Sequence, residues 1–174
     1  MASGDTLGTI IAQQVSLPTT LFAQPDTRTG AATPAESVAV LDFDTTTQEY
    51  ADFLFFLPRN YASGGLTLTL IWMATTATSG AVVWAAAFRR LVDDAEDLDT
   101  TAHAYDFNKI DAGATTASAT GEQVYDPITF TDGADMDSLA AGEWAILRVS
   151  RDTSDADDNM AGDAELIGIE IKET

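Results

Sequence analysis

The stretch that decides the fold runs from residue 49 to residue 91 and reads EYADFLFFLPRNYASGGLTLTLIWMATTATSGAVVWAAAFRRL. Its three apolar runs are separated by turn residues, among them Pro58, Gly64, Gly65 and Gly80. Leucine and threonine alternate in the second run, which is the pattern of a half-buried strand. We therefore interpret the stretch as a meander of three consecutive strands in an all-β sandwich, at residues 50–57, 66–73 and 81–91.

Strand-like patterns continue on both sides of this stretch. Further strands are predicted at residues 37–43, 102–107, 124–131, 143–151 and 164–172, with a weaker one at 110–120. Pro127 cannot donate a ladder hydrogen bond, so its strand is expected to bulge near a sheet edge. One helical turn is expected at Met136–Ala140, with Asp135 as its N-cap. About eight strands separated by turns predict an antiparallel two-sheet sandwich, and loops of unequal length favour a jelly roll.

The first 36 residues differ from the rest of the chain. Pro18, Pro25 and Pro34 disfavour long regular elements there. We therefore predict an extended N-terminal arm at residues 1–36, followed by a jelly-roll domain at residues 37–174. The apolar residues of this arm either pack on their own domain or form an interface with a neighbouring molecule; they are Ile10, Ile11, Val15, Leu17, Leu21 and Phe22.

Charge is the most pronounced feature of the composition. The 174 residues include 28 Asp and Glu against 8 Lys and Arg, a formal net charge of -20. This balance argues against nucleic acid and against anionic membrane surfaces as partners. The apolar runs are also shorter than a membrane span requires, and the N-terminus lacks the features of a signal peptide. A solvated acidic surface, salt adaptation, a basic partner or bound divalent cations would each explain the charge.

Residues of the kind that carry catalysis are few. His103 is the only histidine, and no serine lies in a nucleophile-elbow motif. We therefore expect no enzyme activity and no cofactor, and we interpret His103 as a strand residue packing against Tyr105. Zinc is disfavoured because the chain has no cysteine. Calcium is the remaining metal hypothesis, since acidic loops offer oxygen ligands. The first candidate loop contains Asp152, Asp155, Asp157 and Asp158, and the second contains Asp93, Asp94, Glu96, Asp97 and Asp99.

Aromatic and basic side chains have two interpretations each. Aromatic residues in strands form either the sandwich core, which we favour, or a sugar-binding platform; these residues are Phe53, Phe55, Trp72, Trp84 and Trp144. Arginines are scarce in so acidic a chain. Arg59, Arg89 and Arg90 pair either with acids of this chain, which we favour, or with acids of a neighbouring subunit.

The central stretch contains a series of short motifs. They are Leu57-Pro58, Asn60-Tyr61, Gly64-Gly65, Leu66 to Trp72, Gly80, and Val83-Trp84 to Arg89. This pattern resembles structural proteins of tailed bacteriophages, in which a strand ends in a Pro-Asn-Tyr-Gly turn and tryptophan-containing strands follow. The segments 129–155 and 162–173 resemble the same family. The resemblance covers residues 37–173 and leaves out the N-terminal arm.

The resemblance implies a function as well as a fold. It implies a non-enzymatic virion protein, a homotrimeric decoration or cement protein on the outer face of the major capsid protein shell. The alternative is a head-fibre or tail-spike module that recognises a cell-surface glycan. In the decoration hypothesis the arm grips the shell, so removing residues 1–35 is expected to leave a folded domain with weaker capsid occupancy.

Overall fold

The computed structural model of the protein describes residues 4–94, 97–110, 113–115 and 119–174. Two antiparallel sheets pack face to face in it, which confirms the predicted all-β sandwich. The strands are β1 (Thr6–Ile11), β2 (Val15–Ser16), β3 (Gln24–Thr29), β4 (Ser37–Phe43), β5 (Tyr50–Phe56), β6 (Leu66–Ala74), β7 (Ala81–Val82), β8 (Trp84–Leu91), β9 (Asn108–Lys109), β10 (Ala114–Thr115), β11 (Val124–Phe130), β12 (Trp144–Arg151) and β13 (Ala164–Glu173). Short 3₁₀ helices span Ala12–Gln14 and Ala134–Met136. In these residues no helix has the length and apolar character to cross a membrane.

The two sheets differ in size, and the chain crosses between them repeatedly. The six-stranded sheet has the order β11-β6-β13-β4-β3, and β1 pairs with the second half of β13. The five-stranded sheet has the order β2-β5-β12-β8-β9, and β7 pairs separately with β10. From β4 onward the long strands alternate between the two sheets. The core therefore lies between strands that are neighbours in sequence.

This alternation corrects the predicted meander. Strands β5, β6 and β8 follow one another in the chain, but none of them pairs with the next. The connection at residues 57–65 is longer than a hairpin turn, and it carries the chain across the sandwich. Gly65 ends it with a φ of +90°, where a Cβ would collide with the carbonyl oxygen of Phe130.

The core is formed by the faces that sequence alternation predicts. Leu66, Leu68 and Leu70 are fully buried, whereas Thr67 and Thr69 lie on the opposite face of β6. Burying each leucine side chain stabilises the fold by about 1.5–3 kcal/mol. Aromatic rings then join the sheets, with Trp72 of one sheet edge-to-face on Trp84 of the other at 5.9 Å.

Several local predictions differ from the structure. The strand expected at 81–91 is divided at Val83, whose amide donates to the Asp158 carboxylate instead of to a strand. Residues 102–107 form no strand. Of the strand expected at 110–120, the structure describes β10, while residues 111, 112 and 116–118 lie outside the described residues. Pro127 does lie on the edge strand β11, but it pairs with Thr69 without a bulge because an edge position needs no amide there.

The helical turn is also displaced. It spans Ala134–Met136 rather than Met136–Ala140, and Gly133 precedes it. Asp135 does not cap it, because its carboxylate accepts hydrogen bonds from the amide and hydroxyl of Thr131. Because Thr131 occupies the carboxylate of Asp135, this side chain does not act as the predicted N-cap.

The N-terminal segment is extended, but it belongs to the sandwich. Strands β1 and β3 add to the six-stranded sheet, and β2 adds to the edge of the five-stranded sheet. Ile10, Ala12 and Ala23 are buried in the common core. Strand pairing therefore crosses the predicted boundary at residue 36, because β1, β2 and β3 each pair with a strand of the segment 37–174.

Candidate functional site

The acidic loop at residues 152–163 is held by cationic side chains of this protein. Arg151 is fully buried, and it forms an ion pair with Asp158 at 2.7 Å. The same guanidinium donates to the carbonyl oxygens of Met160 and Gly162. Lys109 contacts Asp152 and Asp155. The hydrogen bond that Lys109 donates to Asp152 raises the pKa of Lys109, so this lysine stays charged.

These pairs bear on the calcium hypothesis. Three of the four aspartates predicted as ligands face Arg151 or Lys109, whereas Asp157 is exposed. Across the part of the chain that the structure describes, no group of three or more acidic or histidine side chains is arranged to hold a metal ion. Of the second loop, Glu96 lies outside the described residues. Calcium binding stays a prediction, and the described residues contain no preformed site to support it.

His103 packs as a structural residue. Its ring lies edge-on to Tyr105 with the centroids 5.0 Å apart, and its Nε2 is 3.7 Å from the Asp137 carboxylate. Tyr105 in turn lies over the guanidinium of Arg148 at 4.2 Å. The contact with Tyr105 agrees with the sequence interpretation, although the segment is a loop that covers the five-stranded sheet.

Arginines beside the five-stranded sheet neutralise its acids. Arg148 binds Asp52 through two hydrogen bonds of 2.7 Å. Arg90 binds Glu143 in the same bidentate way, and this hydrogen bonding lowers the pKa of Glu143. For Arg90 this is the intrachain pairing that the sequence favours, while Arg59 packs against Gly142.

An apolar patch lies on the outer face of the five-stranded sheet. We define it as Leu17, Leu54, Leu91, Leu98, Trp144 and Ile146. Strand register places these side chains together, since Trp144 is opposite Leu91 and Ile146 is opposite Leu54. Leu54 is 57% exposed and Trp144 49% exposed.

Two depressions lie on the surface of the apolar patch. One has a volume of about 230 Å³ and is lined mainly by Leu17, Leu98 and Ile146. The other, of about 520 Å³, lies beside Trp144. Leu54 and Leu91 line both depressions, so the two are adjacent. An exposed apolar surface with this shape is typical of protein docking sites.

A polar cleft lies on the opposite side of the sandwich, on the outer face of the six-stranded sheet. It has a volume of about 380 Å³. We define it by six lining residues: Arg28, Glu36, Val38, Met73, Gln123 and Ile167. Arg28 is anchored by Glu165 at 3.1 Å and by the carbonyl oxygen of Thr75.

The six residues predicted as an arm interface are not brought together on one surface. Ile10 faces the core, whereas its neighbour Ile11 is 49% exposed on the six-stranded sheet. Leu17 belongs to the apolar patch. Leu21 is exposed, and Val15 and Phe22 are half-buried.

The sequence missed both surfaces for identifiable reasons. Trp144 was expected in the core, but it points outward. Strand β12 is apolar on both faces, so alternation alone does not indicate which face is buried. The polar cleft combines residues from four strands and from the loops before β4 and β11, and these residues share no local motif.

Comparison with known proteins supports the fold. No family model matches the chain, and no curated protein matches it in sequence. The structure is similar to the CBM22-1 xylan-binding domain from Paenibacillus barcinonensis Xyn10C, with a TM-score of 0.53, 10% identity, and coverage of 99% of this chain and 96% of that domain. It is more distantly similar to TmCBM61 in complex with beta-1,4-galactotriose, with a TM-score of 0.39, 12% identity and 87% of each chain covered. At these identities the likeness shows the fold alone, a jelly-roll β-sandwich.

Proposed function

We propose that this protein is a non-enzymatic virion protein that decorates the head of a tailed bacteriophage and docks on the major capsid protein through its apolar patch. The observation that carries the proposal is the patch itself. Leu54 and Trp144 stand next to each other with about half of their surface in water. Burying such groups against a partner yields about 25 cal/mol for each Å² of apolar surface removed from water.

Trp144 has the properties of an interface anchor. Its indole is held at 5.1 Å from the ring of Phe56, so its orientation is set before a partner arrives. A pre-ordered tryptophan loses little conformational entropy on binding, and tryptophan is enriched among residues that dominate binding energy.

Charge indicates what kind of protein surface would fit. The chain carries a net charge of -20, yet Asp52 and Glu143 beside the patch are neutralised by Arg148 and Arg90. Docking here would desolvate few unpaired charges. The remaining acidic surface would favour a partner with an apolar centre and a basic rim, and it would speed the encounter at low salt.

The proposed mechanism is stabilisation by mass action. A protein that binds the assembled shell more tightly than free capsid subunits stabilises the shell. A homotrimer would add avidity, because linked docking surfaces bind as one unit. The resemblance of residues 37–173 to phage structural proteins supports this partner.

Occupancy on phage heads that lack the protein tests the proposal. Leu54→Asp would place an unpaired charge in the centre of the contact, and we expect affinity to fall roughly a hundredfold. Ile11→Asp is the matched control, because Ile11 is an exposed aliphatic strand residue on the other sheet and belongs to the arm hypothesis. Loss of binding in Ile11→Asp alone would assign the contact to the N-terminal segment. Absence of wild-type binding would reject the capsid proposal.

Light scattering tests the oligomer. A homotrimer has about three times the chain mass of 18.4 kDa. We expect Leu54→Asp to keep this mass. Conversion to a monomer by Leu54→Asp would instead make the apolar patch a contact between copies of the chain and would contradict its assignment to the shell.

A further inference from the structure

We infer that the polar cleft on the six-stranded sheet is a binding site for a neutral carbohydrate. The inference goes beyond the docking function and does not rest on it. The apolar patch and the polar cleft lie on opposite outer faces, so a ligand in one leaves the other free.

The wall of the cleft toward the core is apolar and comes from three neighbouring strands. Val38 of β4, Met73 of β6 and Ile167 of β13 line it. Ile167 is an extra residue at a bulge, because Leu166 pairs with Trp72 and Gly168 with the adjacent Ile71. Bulges re-aim side chains next to binding sites. A surface of aliphatic and thioether groups suits the C–H face of a sugar ring.

Arg28 and Gln123 supply oriented donors at the rim. The Nη1 of Arg28 is engaged by Glu165 and Thr75, while its Nε has no hydrogen-bond partner in the described residues. The hydroxyl of Tyr125 donates to the Oε1 of Gln123 at 2.9 Å. This bond leaves the amide nitrogen of Gln123 as the group that can donate to a ligand.

Glu36 supplies an acceptor at the same rim. Its backbone carbonyl accepts a hydrogen bond from the amide of Gly30 at 2.8 Å, which holds the residue in place. Thr29 and Thr120 add hydroxyl groups. Sugar hydroxyls both donate and accept, and a rim that mixes donors with acceptors satisfies them.

Charge selects a neutral ligand. Glu165 already compensates Arg28, and Glu36 adds a negative charge, so a phosphate or sulfate would meet net repulsion. A bare metal ion would find a single carboxylate in the lining, that of Glu36, where it needs several oxygen ligands. The volume of about 380 Å³ lies in the lower part of the range of small-molecule sites, roughly 300–1,000 Å³.

Nuclear magnetic resonance titration of the full chain tests the inference. The probes are neutral gluco-, galacto-, manno- and xylo-oligosaccharides, each beside a sulfated or carboxylated counterpart. We expect at least one neutral sugar to shift the side-chain N–H signals of Arg28 and Gln123 and the amide of Gly121 in a saturable way. Titration to about 10 mM detects binding with dissociation constants as weak as the millimolar range.

Three exposed variants separate the cleft from the rest of the surface. Gln123→Ala removes the rim donor, and Glu36→Gln removes the acceptor charge; each is expected to weaken binding roughly five- to tenfold. Thr129→Ala is the control, because Thr129 is exposed on the same sheet outside the cleft. Neither rim residue packs in the core, so a loss of binding would not come from unfolding.

Three results would overturn the inference. The first is no saturable shift with any neutral sugar up to about 10 mM. The second is a preference for the charged counterparts. The third is a response centred on the indole N–H of Trp144, which would move sugar binding to the apolar patch. Loss of head occupancy with sugar binding retained would reject the docking proposal alone.

Discussion

The outer face of the five-stranded sheet pairs its carboxylates with arginines, whereas the outer face of the six-stranded sheet leaves them in surplus. On the first, Arg148 binds Asp52, and Arg90 binds Glu143. On the second, Asp42 is surrounded by other acids. The first face can therefore lose water at low cost over its apolar patch, while the second stays hydrated and polar.

This difference teaches how one sandwich offers two kinds of surface. Both faces use the same alternation of strands, and the core between them is shared. What separates them is where a few cationic side chains are placed, since the chain has only 8 Lys and Arg. The carboxylates beside an arginine are neutralised, so a partner can bury that part of the surface at lower cost.

Arg151→Met is expected to have the largest effect on stability. It removes the partner of Asp158, whose side chain is 2% exposed, and leaves a buried charge unpaired. Breaking such a pair costs about 3–5 kcal/mol of unfolding free energy. Urea unfolding monitored by tryptophan fluorescence measures it.

Arg90→Met is the control for Arg151→Met. Its ion pair with Glu143 is 28% exposed on both sides, so the loss is expected to stay below about 1 kcal/mol. Similar losses for the two variants would mean that burial of the Arg151–Asp158 pair does not increase its contribution to stability.

Ile10→Ala tests whether the N-terminal segment supports both faces. Ile10 is 7% exposed in the common core, and truncation there is expected to cost about 2–4 kcal/mol. Ile11→Ala, on the exposed side of the same strand, is expected to change stability by less than about 0.5 kcal/mol. Equal, small effects would instead describe an arm that is dispensable for folding.

A comparison of β6 with the pair Ile10 and Ile11 shows how much of the fold the sequence could predict. Leu66 to Leu70 alternates with threonine, so its buried face was evident, and the fold class followed from many such strands. Ile10 and Ile11 are both apolar, and alternation cannot say which one faces the core. Pairing with β13, about 160 residues later in the chain, decides it.

The two surfaces depend on contacts that are equally distant in sequence. Trp144 is exposed because the covering loop that carries Tyr105 lies over Arg148, farther along β12. Arg28 reaches the polar cleft and Glu165 only because β3 pairs with β4 and β4 with β13. Local patterns indicate strands, but sheet order determines which side chains meet.

The smallest predicted effect is the change in stability when one carboxylate on each face is neutralised. At pH 7 this change is expected to have opposite signs on the two faces. Burial, followed by repulsion from Asp163, Glu165, Asp26 and Glu49, raises the pKa of Asp42 to about 6. The folded state thus binds a proton that the unfolded state releases near its ordinary value of 3.8, so stability falls as the pH rises through the window from 3.8 to about 6. Asp42→Asn is expected to stabilise the protein at pH 7, by at most about 1 kcal/mol because the group is partly solvated, and to have little effect at pH 3.5.

Asp52→Asn is the matched change on the five-stranded sheet and is expected to destabilise at pH 7. It removes the carboxylate that binds Arg148 at 2.7 Å, and the guanidinium keeps its charge without a counter-ion. Urea unfolding of both variants at pH 7 and pH 3.5 checks the pair. The contrast between the faces requires the two changes to differ in sign at pH 7. Destabilisation by both would show that Asp42 is stabilised by its surroundings, and the surplus of acid on the six-stranded sheet would then have no energetic consequence.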